Sequence, residues 1–417
     1  RGTRGMALGR VGGRSLLAHL SGHGYLRRLS TLSSLALMLA SEALSALDIG
    51  AVRLRNRVGL APINSGMIDV DGSFSDDAIA FHAMYAANNV ALVFVGGVAV
   101  SSEGRSSLRS FALDSDARMQ SLARVLRAID ERGAVAAVQL MHAGPQASVA
   151  ETHGPLVGPS STSHPYLAGV PHAMTRKEII DCRRSFVQAA KRALAAGARI
   201  VELHAAHGYL LSAFLSPRSN LRVDGYGGST AKRCQFVRDV LSEIRLACSA
   251  IVGIRLNLSD DVVGGVDYAE GAEIVRCLAQ EAPDYFSASR GIYSPEDRVM
   301  PPRHLGNTET LRIGRVIRDV GYRGIVMLAG NLCTLDDVSS CIAAGAGDVG
   351  LLGRALLADP HLIPKEVEGA ADQVDRCKMR LVCKYHSRGL PQVSCPSNRA
   401  LTTMMRERRK SADPGDG

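Results

Sequence analysis

Residues 198–209 read ARIVELHAAHGY. The first half is a short apolar run with the pattern of a strand buried on both faces. The second half places His204, His207 and Tyr209 directly behind it. Seven further runs of the same kind recur along the chain: RVGLAP (57–62), ALVFVGGV (91–98), AVAAVQL (134–140), AIVGIRLN (250–257), DYFSAS (284–289), GIVMLAG (324–330) and DVGLLG (348–353). All are rich in Val, Ile and Leu and scarcely alternate, as parallel strands covered on both sides do.

Helix-period segments lie between these runs. SLARVLRAIDERG (121–133) and KEIIDCRRSFVQAAKRALAAG (177–197) are the clearest. The second follows Thr175, an N-cap with Glu178 three positions on, and stops at Gly197. STAKRCQFVRDVLSEIRLACS, YAEGAEIVRCLAQE and TLDDVSSCIAAG continue the alternation. Eight strand–helix units over about 300 residues predict an α/β fold, a (β/α)8 TIM barrel. A doubly wound open sheet is the alternative, but the first strand runs into Pro62-Ile63-Asn64 with no GxGxxG turn behind it.

Composition supports one large core. The chain has 417 residues, of which 46% are hydrophobic and 21% charged. Aromatic residues make up 4% and Trp is absent, which argues against base-stacking nucleic-acid platforms. The formal charge of +9 is uneven: Arg1, Arg4, Arg10, Arg14, Arg27 and Arg28 all precede the first acid, Glu42. The remainder carries only about +3, too little for a nucleic-acid footprint. The acid-free, Arg- and Ser-rich segment 1–41 has the character of a mitochondrial targeting leader, with Arg27-Arg28-Leu29-Ser30 as a processing site. The alternatives are a disordered basic tail on a cytoplasmic protein, or a true start at Met6. No apolar run is long enough to span a bilayer. The scattered cysteines Cys182, Cys234, Cys248, Cys277, Cys333 and Cys341 read as reduced thiols; Cys377, Cys383 and Cys395 cluster. The expected organisation is a leader over 1–41, a barrel over 42–370, a Cys-containing extension over 371–403 and a disordered tail over 404–417. Residues 143–175 form a long Pro-, Ser-, His- and Gly-rich loop after the third strand.

In a barrel of this kind, chemistry gathers at the C-terminal ends of the strands. Gln139 closes the third strand. Its amide suits a planar heterocycle with adjacent N–H and C=O groups, or a structural hydrogen bond to a neighbouring strand end. His204 and His207 close the fourth. Two imidazoles there can grip a carbonyl or phenolate oxygen, and Tyr209 can give a proton in the same pocket. A metal pair, or two buried and satisfied histidines, are the other readings. Arg255 ends the fifth strand and needs an anionic partner, either a ligand or Asp260 or Asp261. Gly330-Asn331 and Gly353-Arg354 follow the last two strands, where phosphate sites form. An amide, an arginine, a phosphate cradle and a His-His-Tyr set together fit a flavin mononucleotide.

HAAHGYLLSAFLSPRSNLRVDGYGGS (204–229) resembles the signature of the old yellow enzyme family of FMN-dependent ene-reductases. RNRVGLAP, the EGR at 103–105, VQLMHAG, GIRLNLSD and LLGRALLADP extend the resemblance from about Leu54 to Pro360. It implies that Pro62, Ile63, Asn64 and Gly97 lie against the flavin ring. Gln139 would bind its pyrimidine edge, and Arg255 would stabilise charge near N1 and O2. Gly330, Asn331, Gly353 and Arg354 would hold the phosphate. His204 and His207 would hold the substrate carbonyl oxygen, and Tyr209 would protonate the α-carbon. The implied reaction is ping-pong reduction of the C=C bond of an enone or enal, or of a quinone, with NAD(P)H as donor. A metal-dependent barrel enzyme built on the His pair, or a non-catalytic flavin-binding electron carrier, would be the alternatives. A homo-oligomer is compatible with either.

Three positions depart from the family pattern. Asn64 stands where relatives often carry Cys or Thr, and Pro145 where HAGR has its Arg. DRCKMRLVCKYHSRGLPQVSCPSNRAL (375–401) is similar to the iron–sulfur segment of relatives such as 2,4-dienoyl-CoA reductase and trimethylamine dehydrogenase. Cys377, Cys383 and Cys395 match three ligand positions, but Arg380 occupies the fourth, and arginine cannot ligate iron. His386 as a substitute ligand, a Cys3His zinc site and free thiols are the possibilities. The expectation is FMN without a cluster, with electrons taken directly at the flavin.

Overall fold

The structure, a computed structural model, describes residues 42–148, 155–162, 169–293, 299, 306–383 and 392–412. The leader segment 1–41 and His386 lie outside the described residues. A short antiparallel hairpin, β1 (Leu47–Ile49) and β2 (Val52–Leu54), precedes the barrel strands. Eight parallel strands then close into a barrel: β3 (Val58–Ile63), β4 (Leu92–Ala99), β5 (Val135–Met141), β8 (Ile200–Ala205), β9 (Ile251–Asn257), β10 (Tyr285–Ser289), β11 (Ile325–Ala329) and β12 (Val349–Leu352). β6 (Val157–Gly158) and β7 (His172–Ala173) pair separately, in the long loop after β5. Each barrel strand falls within a residue or two of an apolar run read from the sequence, so the predicted TIM barrel is the fold observed.

The outer ring consists of α1 (Asp76–Ala87), α2 (Asp116–Asp130), α3 (Arg176–Ala195), α4 (Leu210–Leu215), α5 (Thr230–Ala247), α6 (Tyr268–Ala279), α7 (Thr308–Asp319) and α8 (Leu335–Ala343), followed by α9 (Arg354–Ala358) and α10 (Leu362–Val367). The capping box expected before α3 is present: Thr175 Oγ1 accepts from the Glu178 N–H, and the Glu178 carboxylate accepts from the Thr175 N–H. Two separate apolar regions hold the molecule together. The larger lies between strands and helices. The smaller fills the barrel interior below its mouth, where Leu92, Phe94, Ile200, Tyr285 and Met327 meet Ile49, Val52 and Leu54 of the hairpin. Each such large side chain contributes about 1.5–3 kcal/mol by leaving water. The hairpin thus acts as the floor of the barrel.

The extension is fastened to the barrel. The Val393 N–H donates to the Ser65 carbonyl, and Asn398 Nδ2 donates to the Leu357 carbonyl. Asp359, almost fully buried, accepts from Lys365 Nζ and from the Asp375 N–H. Residues 404–412, expected as tail, belong to the helix α11 (Arg399–Ala412). The polar composition that reads as disorder is also what a surface helix carries on its exposed face. Among the described residues, no helix is long and apolar enough to cross a membrane.

Candidate active site

A cavity of about 620 Å³ opens at the C-terminal ends of the strands. All thirteen residues singled out for substrate or flavin line it: His204, His207 and Tyr209; Pro62, Ile63, Asn64 and Gly97; Gln139 and Arg255; and Gly330, Asn331, Gly353 and Arg354. Their positions follow from the period of the strands. Glu202 and His204 share a face because side chains two apart point the same way. Gly97 keeps space open, since a Cβ there would strike Met141.

The histidine pair sits on a shaped turn. His207 has φ +62°, a left-handed conformation rare for a residue with a Cβ, and Gly208 follows at φ +80°. This turn lifts His207 back over the strand end. Its ring centroid lies 5.0 Å from that of His204, with the planes at 87°. The Tyr209 ring stands edge-on to His204 at 4.9 Å, and Tyr293 closes the other side at 5.8 Å from Tyr209. The Ala206 N–H donates to His204 Nδ1 at 3.3 Å. A neutral His204 therefore carries its proton on Nε2. Ser289 Oγ lies 2.7 Å from His207 Nε2 and accepts from Arg255 Nη2 at 3.4 Å. A hydroxyl oxygen has two lone pairs, so this contact serves either tautomer of a neutral His207. Burial, with the nearby Arg255 charge, holds both imidazoles well below their ordinary pKa; for His207 the neighbouring His204 adds to this. Both rings are neutral hydrogen-bond donors. Ser289 was not anticipated, although its place at the end of DYFSAS marks it as a strand-end residue.

At the floor of the cavity, Gln139 Nε2 donates to Glu202 Oε1 at 2.7 Å. The structural bond foreseen for Gln139 thus exists, and its remaining amide capacity lies at the cavity wall. Arg255 is buried and charged, and its partner differs from the expectation. Asp260 accepts from Ser216 Oγ at 2.7 Å, and Asp261 pairs with Arg290 at 2.8 Å. Glu202, on the adjacent strand, is the carboxylate whose charge supports Arg255. Sequence proximity misled here because Asp260 and Asp261 lie beyond the strand, where the chain has turned away. Asn64 donates from Nδ2 to Ser110 Oγ at 2.9 Å and accepts the Gly66 N–H at 3.3 Å, which fixes its amide at the cavity edge. Pro145 is buried in a 3₁₀ turn, Gly144–Gln146, and lines a smaller neighbouring cavity.

At the far end, Gly330 adopts φ +132°, which only glycine tolerates easily, and Asn331 adopts φ +51°. Arg354 Nη2 donates to Asn331 Oδ1 at 3.3 Å, and Arg354 Nη1 lies 3.0 Å from Met379 Sδ. Met379 belongs to the extension, as do Cys377 and Cys383, which reach the same cavity. Cys395 lies in a small adjoining cavity with those two cysteines and Arg380. The three thiols are near enough that Cys377 and Cys395 raise the pKa of Cys383, after burial. Among the described residues, however, no set of three or more His, Cys, Asp or Glu side chains is arranged to hold a metal ion. Arg380 at the fourth position supplies no thiolate, so the extension does not fit a four-thiolate cluster.

Residues 44–373 match the model of the NADH:flavin oxidoreductase / NADH oxidase family. An NADH oxidase of Thermoanaerobacter brockii is 31% identical over 79% of this chain and 51% of its own length. An NADPH dehydrogenase of Bacillus licheniformis is 30% identical over 75% of this chain and 90% of its own. A solved 2-naphthoyl-CoA reductase, in complex with 2-naphthoyl-CoA, superposes with a TM-score of 0.77 at 25% identity, over 81% of this chain and 54% of that one. The chain thus spans about half the length of the NADH oxidase and of that reductase, and nearly all of the NADPH dehydrogenase. The match covers the barrel strands and most of the residues that line the cavity at their C-terminal ends, and on that ground the chain belongs to the NADH:flavin oxidoreductase / NADH oxidase family.

Proposed function

We propose that the chain is an FMN-dependent NAD(P)H oxidoreductase that reduces the C=C bond of α,β-unsaturated carbonyl compounds. The observation that carries this reading is the convergence on one cavity of a neutral His-His pair, Tyr209, Gln139, Arg255 and the Gly330–Arg354 end. FMN fits the residues present. Arg255 Nε is buried without a protein partner beside the cavity, as suits an arginine awaiting a ring oxygen or nitrogen. Gln139 offers an amide edge, and the Gly330 and Gly353 turns with Arg354 suit a phosphate. When bound, FMN supplies the hydride chemistry, accepting from NAD(P)H and passing to the alkene.

The protein's own contribution is polarisation and protonation. His204 Nε2–H and a ring N–H of His207 donate to the carbonyl oxygen, drawing electron density from the β-carbon. Neutral donors suit this task, because they stabilise developing negative charge without losing a proton to it. Tyr209, at the same wall, donates the proton that completes the α-carbon. A metal centre on the His pair finds less support: the carboxylate that shares their face, Glu202, is engaged by Gln139 and Arg255.

Anaerobic stopped-flow tests the proposal. NAD(P)H should bleach the flavin, and 2-cyclohexenone should then restore its colour in a separate second phase. Bleaching without reoxidation by any enone or enal would leave an electron carrier in place of an ene-reductase. We also propose a mitochondrial address from the basic, acid-free segment 1–41. Fusion of that segment to a fluorescent reporter checks it, and a diffuse signal would contradict it.

A further inference from the structure

Beneath the cavity lies a buried polar layer whose members do not line it themselves but sit directly behind residues that do. Glu202, Gly253 and Tyr285 are in register across β8, β9 and β10. Gly253 is required for steric reasons: a Cβ there would fall within the Tyr285 ring, nearest Cζ. The phenol end of Tyr285 therefore crosses Gly253 toward Glu202. On its other side Glu202 is in register with Gln139, whose Nε2 donates to it at 2.7 Å. One row higher, Arg255 is in register with His204 and Ser287. Glu202 is fully buried. Burial is the largest influence and leaves its pKa above the usual carboxylate range, against Arg255 first, then Gln139, Tyr285 and Ser287, which favour its charged form. The second carboxylate oxygen and the Tyr285 and Ser287 hydroxyls make no hydrogen bond of ordinary geometry.

We infer that Glu202 is a positioning residue for the flavin: it fixes which way the Gln139 amide faces, and its charge decides how much of the Arg255 charge reaches the ring. The inference rests on the FMN reading above. An ionised carboxylate only accepts, so it selects Nε2 of Gln139 and leaves Oε1 and one N–H for the cofactor edge. Arg255 and an ionised Glu202 sum to no net charge, whereas a neutral residue at 202 leaves Arg255 uncompensated. Positive charge near N1 favours the reduced, anionic ring, so Glu202 holds the flavin potential down. A residue that served the barrel alone would affect stability and leave the potential where it is.

Glu202→Gln tests this. It keeps the size of the side chain and an acceptor for Gln139, and removes the charge. Flavin midpoint potential and absorption spectrum are measured on FMN-loaded protein at neutral pH. The variant should retain FMN and become easier to reduce. At a fixed solution potential its reduced-to-oxidised ratio should rise on the order of tenfold, the scale of one uncompensated charge in a site of intermediate dielectric. Tyr285→Phe keeps the ring over Gly253 and loses a group that favours the carboxylate charge, so its potential should move the same way by less. FMN-loaded Glu202→Gln with wild-type potential and spectrum would overturn the inference. Where that variant fails to fold, a wild-type potential in Tyr285→Phe would do so. Wild-type protein that takes up no FMN would overturn the underlying reading, and this one with it.

Discussion

At His204 the backbone sets the chemistry, because the Ala206 N–H occupies Nδ1 and leaves the proton on Nε2. A clamp of two neutral donors makes a specific demand: phenols, whose oxygen mimics a polarised carbonyl, should bind to the oxidised enzyme. His207→Ala should weaken titrated phenol binding about tenfold or more, the worth of a charge-assisted hydrogen bond. FMN should stay bound, and unchanged phenol affinity would remove the clamp. Arg354 lies at the opposite end of the cavity. Arg354→Ala should lower flavin retention on dialysis, and full occupancy would mean that the phosphate lies elsewhere. That the candidate residues share one cavity was legible because strand ends in a barrel converge, whatever their separation in sequence. The partner of Arg255 was not. Glu202 lies far from it in sequence but one strand away in space, and only the register of β8 on β9 brings the two together.

Among the elements, the eight barrel strands were legible from apolar runs, and α3 from its capping box. The floor hairpin β1–β2 was not, because three-residue strands carry no periodicity to detect. Gly253 shows how one strand position can be fixed by its neighbour. Gly253→Ala places a methyl against the Tyr285 ring, whose lateral escape is blocked by the packed barrel interior. It should destabilise the protein by about 1–3 kcal/mol, as overpacking does. Denaturant unfolding measures this, and a change below about 0.5 kcal/mol would show that the ring can move.

The molecule as a whole buries imidazoles that must stay neutral. Burial pushes His82 and His142 down to about 4 from the usual 6.5. As pH falls below 6.5 the unfolded chain takes up protons that the folded chain refuses. Stability from these groups is therefore complete above 6.5 and is lost progressively toward about 4. At pH 5 each should cost about 2 kcal/mol. Tm should be lower at pH 5 than at pH 7.5, and an equal or higher value would contradict their burial in neutral form. The extension also belongs to this scale. It closes one end of the cavity with Met379 and Cys377 and carries Arg380 where a fourth thiolate would be needed. One absorption spectrum of the purified protein, with iron assayed on the same sample, decides whether this cavity holds a flavin. The two visible bands of oxidised flavin should appear, with the flavin released as FMN on denaturation and no stoichiometric iron. A colourless protein that takes up no added FMN would contradict the FMN reading.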